Sequence, residues 1–453
     1  MDTIAAIGNA PGIGAVGIVR LSGTLAFSIV DTLFKENTGK ESADFESRKL
    51  YYGTLKNEKG ILLDHCLCTI SRNPSSYTGE DTAEFQCHGS PTLLQAVLEA
   101  CFAKGARLAN AGEFTKRAFL HGKLDLIQAE AVADLIHAET LAQVENASGQ
   151  LGGAISLQME DIYQKLTQIL AHFHAVIDYY DEDIEDFILA DYQKTIADSL
   201  AHINSLLATC DRGAILSKGI LTAILGRPNV GKSSLLNALL GYPRAIVTHL
   251  PGTTRDTVEE RVLVGDTLLR LTDTAGIRHT TDLVEQIGVN RAKELANTAK
   301  LLLFVCDGSV TLTEDDREII EQMPKDTYKI AIVNKSDLPQ TLEKNSLTTD
   351  FDHIISISAQ DNTGLDHLEN CIQGLFKSTV PQGEILVNPR QISSLQQAKG
   401  ALEATLAGLL AGVTPDAVLT EMEGALLAIG ELKGRVIRED VVATIFQRFC
   451  VGK

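Results

Sequence analysis

Apolar and polar positions change their period several times along this chain. Short β-type runs at 4–7, 16–21, 66–70 and 83–87 are separated by glycine-rich turns, which predicts strands in the N-terminal region. In Ala83-Glu84-Phe85-Gln86-Cys87-His88 the alternation puts Glu84, Gln86 and His88 on one face and Ala83, Phe85 and Cys87 on the other. Taken alone, that polar row reads as a solvated sheet face. Leu93, Leu94, Val97, Leu98, Cys101 and Phe102 then trace an amphipathic helix. From Gly112 the period turns helical. The stretch Lys123-Leu124-Asp125-Leu126-Ile127-Gln128-Ala129-Glu130-Ala131 is rich in strong helix formers, and helical periodicity continues with breaks to about Cys210. An acidic run at 178–186 marks a helix end or a solvated loop. Between about 216 and 380 strands and helices alternate, the pattern of an α/β domain. After Pro389 the chain is helical again: Thr414-Pro415-Asp416 reads as an N-cap with proline at the first helical position, and Leu419, Met422, Leu426 and Ile429 follow at helical spacing. Neither helical piece has a sheet of its own, so the two are expected to pack together with the α/β stretch inserted between them. The fold class is therefore a multidomain one, α+β then α/β within an all-helical domain. Its expected boundaries are 1–118, 119–214, 215–382 and 383–453.

The chemistry concentrates at Gly226-Arg227-Pro228-Asn229-Val230-Gly231-Lys232-Ser233, between the apolar run Ile220–Leu225 and the helical stretch beginning at Ser234. A strand, a glycine loop and a helix in that order predict a phosphate-binding loop. Inward-pointing N–H groups at a helix N-terminus cradle negative charge without bulky side chains. Lys232 would add a point charge for the β- and γ-phosphates, and the Ser233 hydroxyl would ligate magnesium. Three downstream pieces strengthen the reading: Asp273-Thr274-Ala275-Gly276, Asn334-Lys335-Ser336-Asp337 and Ser358-Ala359-Gln360, each at the carboxyl end of an expected strand. In this order they resemble the P-loop GTPase superfamily, which implies a Ras-like domain that binds and hydrolyses GTP. The Asp337 carboxylate would accept two hydrogen bonds from the guanine N–H edge. Adenine offers an acceptor there and would be rejected.

Composition changes the picture in three places. At 453 residues, 44% hydrophobic and 22% charged, the chain reads as an ordinary globular protein of two to four domains. No apolar run reaches 18 residues and Met1-Asp2-Thr3 lacks a basic start, so neither a membrane span nor a signal peptide is expected. The eight cysteines are scattered, which suits reduced thiols in a cytoplasmic protein better than a disulfide framework or a zinc site. The formal net charge of −19 weighs against broad polyanion binding, so any RNA contact needs a local basic patch or a partner's surface.

The chain ends in Phe449-Cys450-Val451-Gly452-Lys453. The Cys450 spacing suits a prenylation box only poorly, because Gly452 and Lys453 fit it badly and no basic cluster flanks it as an anchor would want. With Gly252-Thr253-Thr254-Arg255-Asp256 and an N-terminal Gly14-Ala15-Val16-Gly17-Ile18-Val19-Arg20-Leu21-Ser22-Gly23, this tail closely resembles the MnmE (TrmE) family over essentially the whole chain. The resemblance implies a folate-binding, dimerising N-terminal domain (a homodimer) and a helical domain built from two segments around an inserted G domain. It also implies work on tRNA with a flavoprotein partner, MnmG (GidA), as a heterotetramer that modifies the wobble uridine with an aminomethyl or carboxymethylaminomethyl group. A reduced folate, 5-formyltetrahydrofolate or methylene-tetrahydrofolate, would be the one-carbon source. By resemblance the folate contacts fall on Arg20, Glu84, Lys123 and Lys453, and Cys450 is a candidate for a chemical role near that pocket.

In the G domain the resemblance makes Asn229, Thr248, the Leu250 carbonyl and Thr253 the potassium ligands, and puts Thr254 beside Ser233 on magnesium. His249, Pro251, Gly252 and Ser234 lie in the same nucleotide-binding loops. Ile277 follows Asp273-Thr274-Ala275-Gly276 where signalling GTPases carry a water-orienting glutamine. Potassium between the β- and γ-phosphates would stand in for an arginine finger. Glu285, in Val284-Glu285-Gln286-Ile287-Gly288, would orient the water, whereas the residues alone suggest an exposed helix-start glutamate. The competing class is a regulatory switch of the ribosome-assembly kind, in which hydrolysis only times binding. Such a switch needs neither a folate pocket nor a Phe-Cys-Val-Gly-Lys tail.

Overall fold

A computed structural model describes residues 2–178, 189–241, 260–271, 297–377, 385–436, 445–446, 449 and 451–452. The acidic run beyond Asp178, the loops 242–259 and 272–296, Cys450 and Lys453 lie outside the described residues. The chain divides into two compact units: Met1–Ile136 with Ala147–Asn204 and Ser393–Lys453, and His137–Asn146 with Ser205–Ile392.

The first unit begins with β1 (Ile4–Ile7), β2 (Val16–Ser22), α1 (Ala26–Leu33), β3 (Phe34–Glu36), β4 (Tyr51–Lys56), β5 (Leu62–Ser71), β6 (Thr82–His88), α2 (Pro91–Ala103) and β7 (Arg107–Leu108). Its seven strands form one sheet in the order β3-β4-β5-β6-β2-β1-β7. Alternation decides the faces. Ala83, Phe85 and Cys87 turn into a core shared with Val19, Leu21, Ile29, Val97 and Leu98, while Glu84 and Gln86 stay on the open face. Phe85 has no exposed surface, so truncating it to alanine would cost about 3–5 kcal/mol.

Helices follow: α3 (Glu113–Leu120), α4 (Leu126–Ile136), α5 (Leu141–Leu151), α6 (Ala154–Asp178) and α7 (Leu189–Leu207). The helix read from Lys123 onward starts three residues later. The Asp125 carboxylate accepts the Gln128 N–H at 3.0 Å, and Gln128 Oε1 accepts the Asp125 N–H at 3.1 Å. That reciprocal cap holds Lys123 and Leu124 outside the helix.

The second unit carries α8 (Cys210–Lys218), β8 (Ile220–Leu225), α9 (Lys232–Gly241), β9 (Glu260–Val264), β10 (Thr267–Leu271), β11 (Leu301–Asp307), α10 (Glu314–Glu321), β12 (Tyr328–Asn334), β13 (His353–Ser356) and α11 (Leu365–Lys377). Six strands run in the order β13-β12-β11-β8-β10-β9, and only the β9–β10 pair is antiparallel. Residues 301–306 of β11 are buried without interruption, as in a strand covered on both faces. Parallel pairing brings the carboxyl ends of β8, β11, β12 and β13 to one edge, where open α/β sheets bind ligands.

The chain closes with α12 (Pro389–Leu410) and α13 (Pro415–Lys433). In the first unit α13 packs along α6, and Glu160 of α6 accepts from Lys433 at 2.5 Å and Arg435 at 2.6 Å. Hydrogen bonding from Lys433, then Arg435, holds the Glu160 carboxyl down to about 2 against a partial desolvation cost. Among the described residues no helix is long and apolar enough to cross a membrane.

Candidate functional site

In the second unit, β8 runs into a loop whose backbone takes left-handed values at Gly226 (φ 143°), Asn229 (φ 63°) and Gly231 (φ 101°). A Cβ on Gly226 would strike the Val305 carbonyl, and one on Gly231 the Asn334 side-chain amide. Glycine is therefore required twice, once for conformation and once for close approach. Val230 is buried in the sheet core and anchors the loop. Lys232 opens α9 and folds back, donating to the carbonyls of Gly226 at 2.5 Å and Arg227 at 2.8 Å. Burial pushes its ammonium below the usual lysine range. Two neutral carbonyls give that charge no counter-ion, and a phosphate would. Ser233 sits partly buried in the first turn of α9, and Ser234 is exposed beside it.

Asn334, 3% exposed, ends β12. Its Nδ2 donates to the Val230 carbonyl at 2.9 Å, and its Oδ1 accepts the Ala359 N–H at 3.0 Å. One buried amide thus ties the phosphate loop, the 334–337 turn and the 358–360 turn together. Lys335 is left-handed (φ 62°), and its ammonium meets Asp307 at 2.6 Å. Burial works against the ionised Asp307, but hydrogen bonds from Lys335 and Ser309 more than offset it and hold its carboxyl below the usual range. The Ser336 N–H bonds the Ile357 carbonyl at 3.0 Å, and Asp337 projects exposed beyond it. Ser358 and Ala359 are buried, and Gln360 is exposed. The turn is closed by paired Ser358–Thr363 backbone bonds at 3.1 Å. The expected nucleotide residues Thr248, His249, Leu250, Pro251, Gly252, Thr253, Thr254, Asp273, Thr274, Ala275 and Gly276, with Glu285, lie outside the described residues.

Sequence reasoning passed over Arg227 and Asp316. The Arg227 guanidinium reaches Asp316 at 3.2 Å, and Asp316, 1% exposed, also closes a capping box with Thr313 at the start of α10. The Thr-x-x-Asp spacing was the available signal.

In the first unit, Arg20 and Glu84 stand opposite each other on β2 and β6, with Nε to Oε1 at 3.0 Å. The same guanidinium donates to the Gly452 carbonyl at 3.2 Å and lies 5.2 Å from the Phe114 ring centre and 5.8 Å from that of Tyr77. They border a cavity of about 340 Å³ that Gln86, Thr69, Ser71 and Arg48 also line. Lys123 borders a different cavity of about 410 Å³, with His121, Glu80 and Asp81. Arg20 and Glu84 are therefore brought together, and Lys123 is placed beside a neighbouring hollow. Val451 and Gly452 are docked here. Val451 bridges Ala111, and Gly452, at φ 102°, packs where a Cβ would strike the Ile7 carbonyl.

An ion network centred on the buried Arg117 supports this region. Arg117, with a 4% exposed side chain, contacts Asp2 at 2.8 Å, Glu80 at 2.9 Å and Glu113 at 3.0 Å. Burial opposes ionisation of Glu113, yet hydrogen bonds from Arg107, the Asn110 N–H and Arg117 hold its carboxyl down to about 2. Neither Arg117 nor the aromatic walls Tyr77 and Phe114 had a sequence signal, because their partners are distant in the chain.

Two family models match this chain: GTP-binding protein TrmE N-terminus over residues 3–123 and the MnmE helical domain over 126–450. The tRNA modification GTPase MnmE of Clostridioides difficile (strain 630) is 41% identical over 457 residues, covering 100% of this chain and 99% of its own. That of Thermoanaerobacter pseudethanolicus is 41% identical over 458 residues with the same coverage. Among solved structures, a variant of Aquifex aeolicus Era bound to GDP.AlF4- covers 40% of this chain and 65% of its own at 29% identity. Its TM-score of 0.26 is too low to carry a conclusion about this chain.

Proposed function

The chain belongs to the MnmE (TrmE) family, and from that premise we propose that it is a potassium-activated GTPase serving wobble-uridine modification of tRNA. GTP hydrolysis and a role in tRNA modification are the family's activity. The observation that carries the nucleotide reading is the Asn334 amide, which holds the phosphate loop and the guanine-side turns in one frame. Lys232 binds the β- and γ-phosphates, trading its two carbonyl contacts for them. Asp337 reads the guanine edge. Ser233 and Thr254 hold magnesium; Asn229, Thr248, the Leu250 carbonyl and Thr253 hold potassium; Glu285 orients the attacking water. The exposed, left-handed Asn229 suits a ligand role, because nothing in the loop covers its side chain. Potassium, when bound, supplies positive charge where an arginine finger would, worth roughly 10³–10⁵ in rate.

The N-terminal cavity takes a reduced folate. A carboxylate beside a guanidinium suits the donor edge of a pterin, and about 340 Å³ lies in the range of small-molecule sites. Lys453 and Cys450, with Lys123 from the neighbouring hollow, complete that reading, in a homodimer partnered by the flavoprotein MnmG. The family domains follow as 1–118, 119–214, 215–382 and 383–453. The test is nucleoside analysis of tRNA from cells lacking this chain. Loss of the wobble modification is the expected result, and an unchanged profile overturns the reading. Equilibrium binding of 5-formyltetrahydrofolate, with Arg20→Ala as control, separates this function from a purely regulatory switch.

A further inference from the structure

We propose that Asp307, with the turn Asp307-Gly308-Ser309 behind it, is a positioning residue for guanine recognition: it pins the Lys335 ammonium so that the lysine stem lies as a preset floor for the base. This rests on the reading of Asn334-Lys335-Ser336-Asp337 as the guanine-side turn, with Asp337 on the base edge. β11 and β12 are in-register neighbours, with Asp307 opposite Asn334, so the two strand ends lie side by side. Asp307 divides its carboxylate. Oδ1 accepts the Ser309 N–H at 2.9 Å and the Ser309 hydroxyl at 2.6 Å, which leaves Oδ2 aimed at Lys335 Nζ, 2.6 Å away. The carboxylate is thus oriented by its own turn, whether or not the lysine is there.

The backbone is fastened in the same way. The Gly308 N–H bonds the Asn334 carbonyl at 2.9 Å, and Gln340 Nε2 donates to the Lys335 carbonyl at 2.9 Å. A Cβ on Gly308 would crowd Val333 Cγ1 at 2.8 Å and make Gln340 swing aside. Lys335 is held at both ends, by its left-handed backbone and by its ion pair. An unpinned lysine would have to be ordered when the nucleotide arrives, and that ordering is subtracted from affinity. With Lys335 35% and Asp307 13% exposed, the pair is partly withdrawn from water and outlasts an ordinary surface pair.

The experiment uses the full chain, a fluorescent GDP analogue and steady-state GTP hydrolysis. Asp307→Asn is expected to weaken nucleotide binding about 10-fold and raise KM alike, while kcat holds within about two-fold. Asp307→Glu is expected to recover part of the loss. Lys335→Ala weakens binding too, and adding Asp307→Asn to it costs little more, because the two act as one unit. Unchanged affinity in Asp307→Asn, or fully additive losses, overturns the proposal. If Asp307→Asn does not fold, Ser309→Ala, which frees the carboxylate, must give a smaller loss in the same direction. Asp337→Asn separates the two levels. If it fails to shift preference from GTP to xanthosine triphosphate, the guanine-side reading itself falls. If the shift occurs while Asp307→Asn binds normally, only this inference falls.

Discussion

The cations of the two sites are held in different ways. In the second unit Lys232 rests on two neutral backbone carbonyls, contacts that a bound phosphate would replace at little cost. In the N-terminal cavity Arg20 is already committed: Glu84 at 3.0 Å, the Gly452 carbonyl at 3.2 Å and two aromatic rings fix its plane before any ligand arrives. A planar, always-charged guanidinium suits such a fixed wall, whereas a flexible ammonium suits exchange. The difference matches the two tasks. A nucleotide site must bind, react and release through loops that change partners, and the proposed folate pocket would gain from being set in advance.

Breaking the parked lysine carries the largest combined effect, on rate and on affinity together. Lys232→Ala should lower GTP hydrolysis by about 10²–10³, the cost of removing one transition-state electrostatic partner, and weaken GTP binding with it. Glu285→Ala tests the catalytic half alone: kcat should fall by about 10²–10⁴ while GTP affinity is kept. Normal turnover would remove Glu285 from the mechanism. Replacing potassium by sodium at equal ionic strength should slow the wild type markedly, and indifference to the salt would sink the cation role. On the preset side, Arg20→Ala should cost about 10-fold or more in 5-formyltetrahydrofolate affinity by equilibrium dialysis, because it leaves Glu84 without its partner. GTP hydrolysis by the same variant should stay at the wild-type rate.

Acid sharpens the comparison with a smaller effect. Glu113 has its carboxyl held at about 2 against an ordinary 4.5, so its contribution to stability is complete above pH 4.5 and disappears as pH falls towards 2. Melting temperatures measured between pH 5 and 3 should drop more steeply for the wild type than for Glu113→Gln. The smallest effect concerns boundaries. A 215–382 fragment should fold, and a 205–392 fragment should melt higher. The longer piece keeps the Val387 N–H bonded to Thr209 at 3.3 Å and the close packing of Gly213 on Val387.

Much of this was legible in the residues, and the reasons are local. Alternation in 82–88 placed Glu84 and Gln86 on the open face, because strand geometry repeats every two residues. The loop 226–233 announced its glycines, because a phosphate cradle needs backbone conformations that few other residues adopt. Lys123 shows the limit. Helix-forming composition extended the helix back to it, but the Asp125–Gln128 cap stopped the helix short and set Lys123 beside a separate cavity.

What the amino-acid order determined by itself were features whose cause lies within a few residues: strand and helix periods, turns and the phosphate loop. What only tertiary structure decided was which distant groups meet: Gly452 against Arg20 across 432 positions, Asn334 against Val230, and Asp307 against Lys335. The physical reason is that a near-neighbour contact follows from fixed helix and strand repeats, whereas a distant one depends on strand order and register. Those are set by the packing of the whole core.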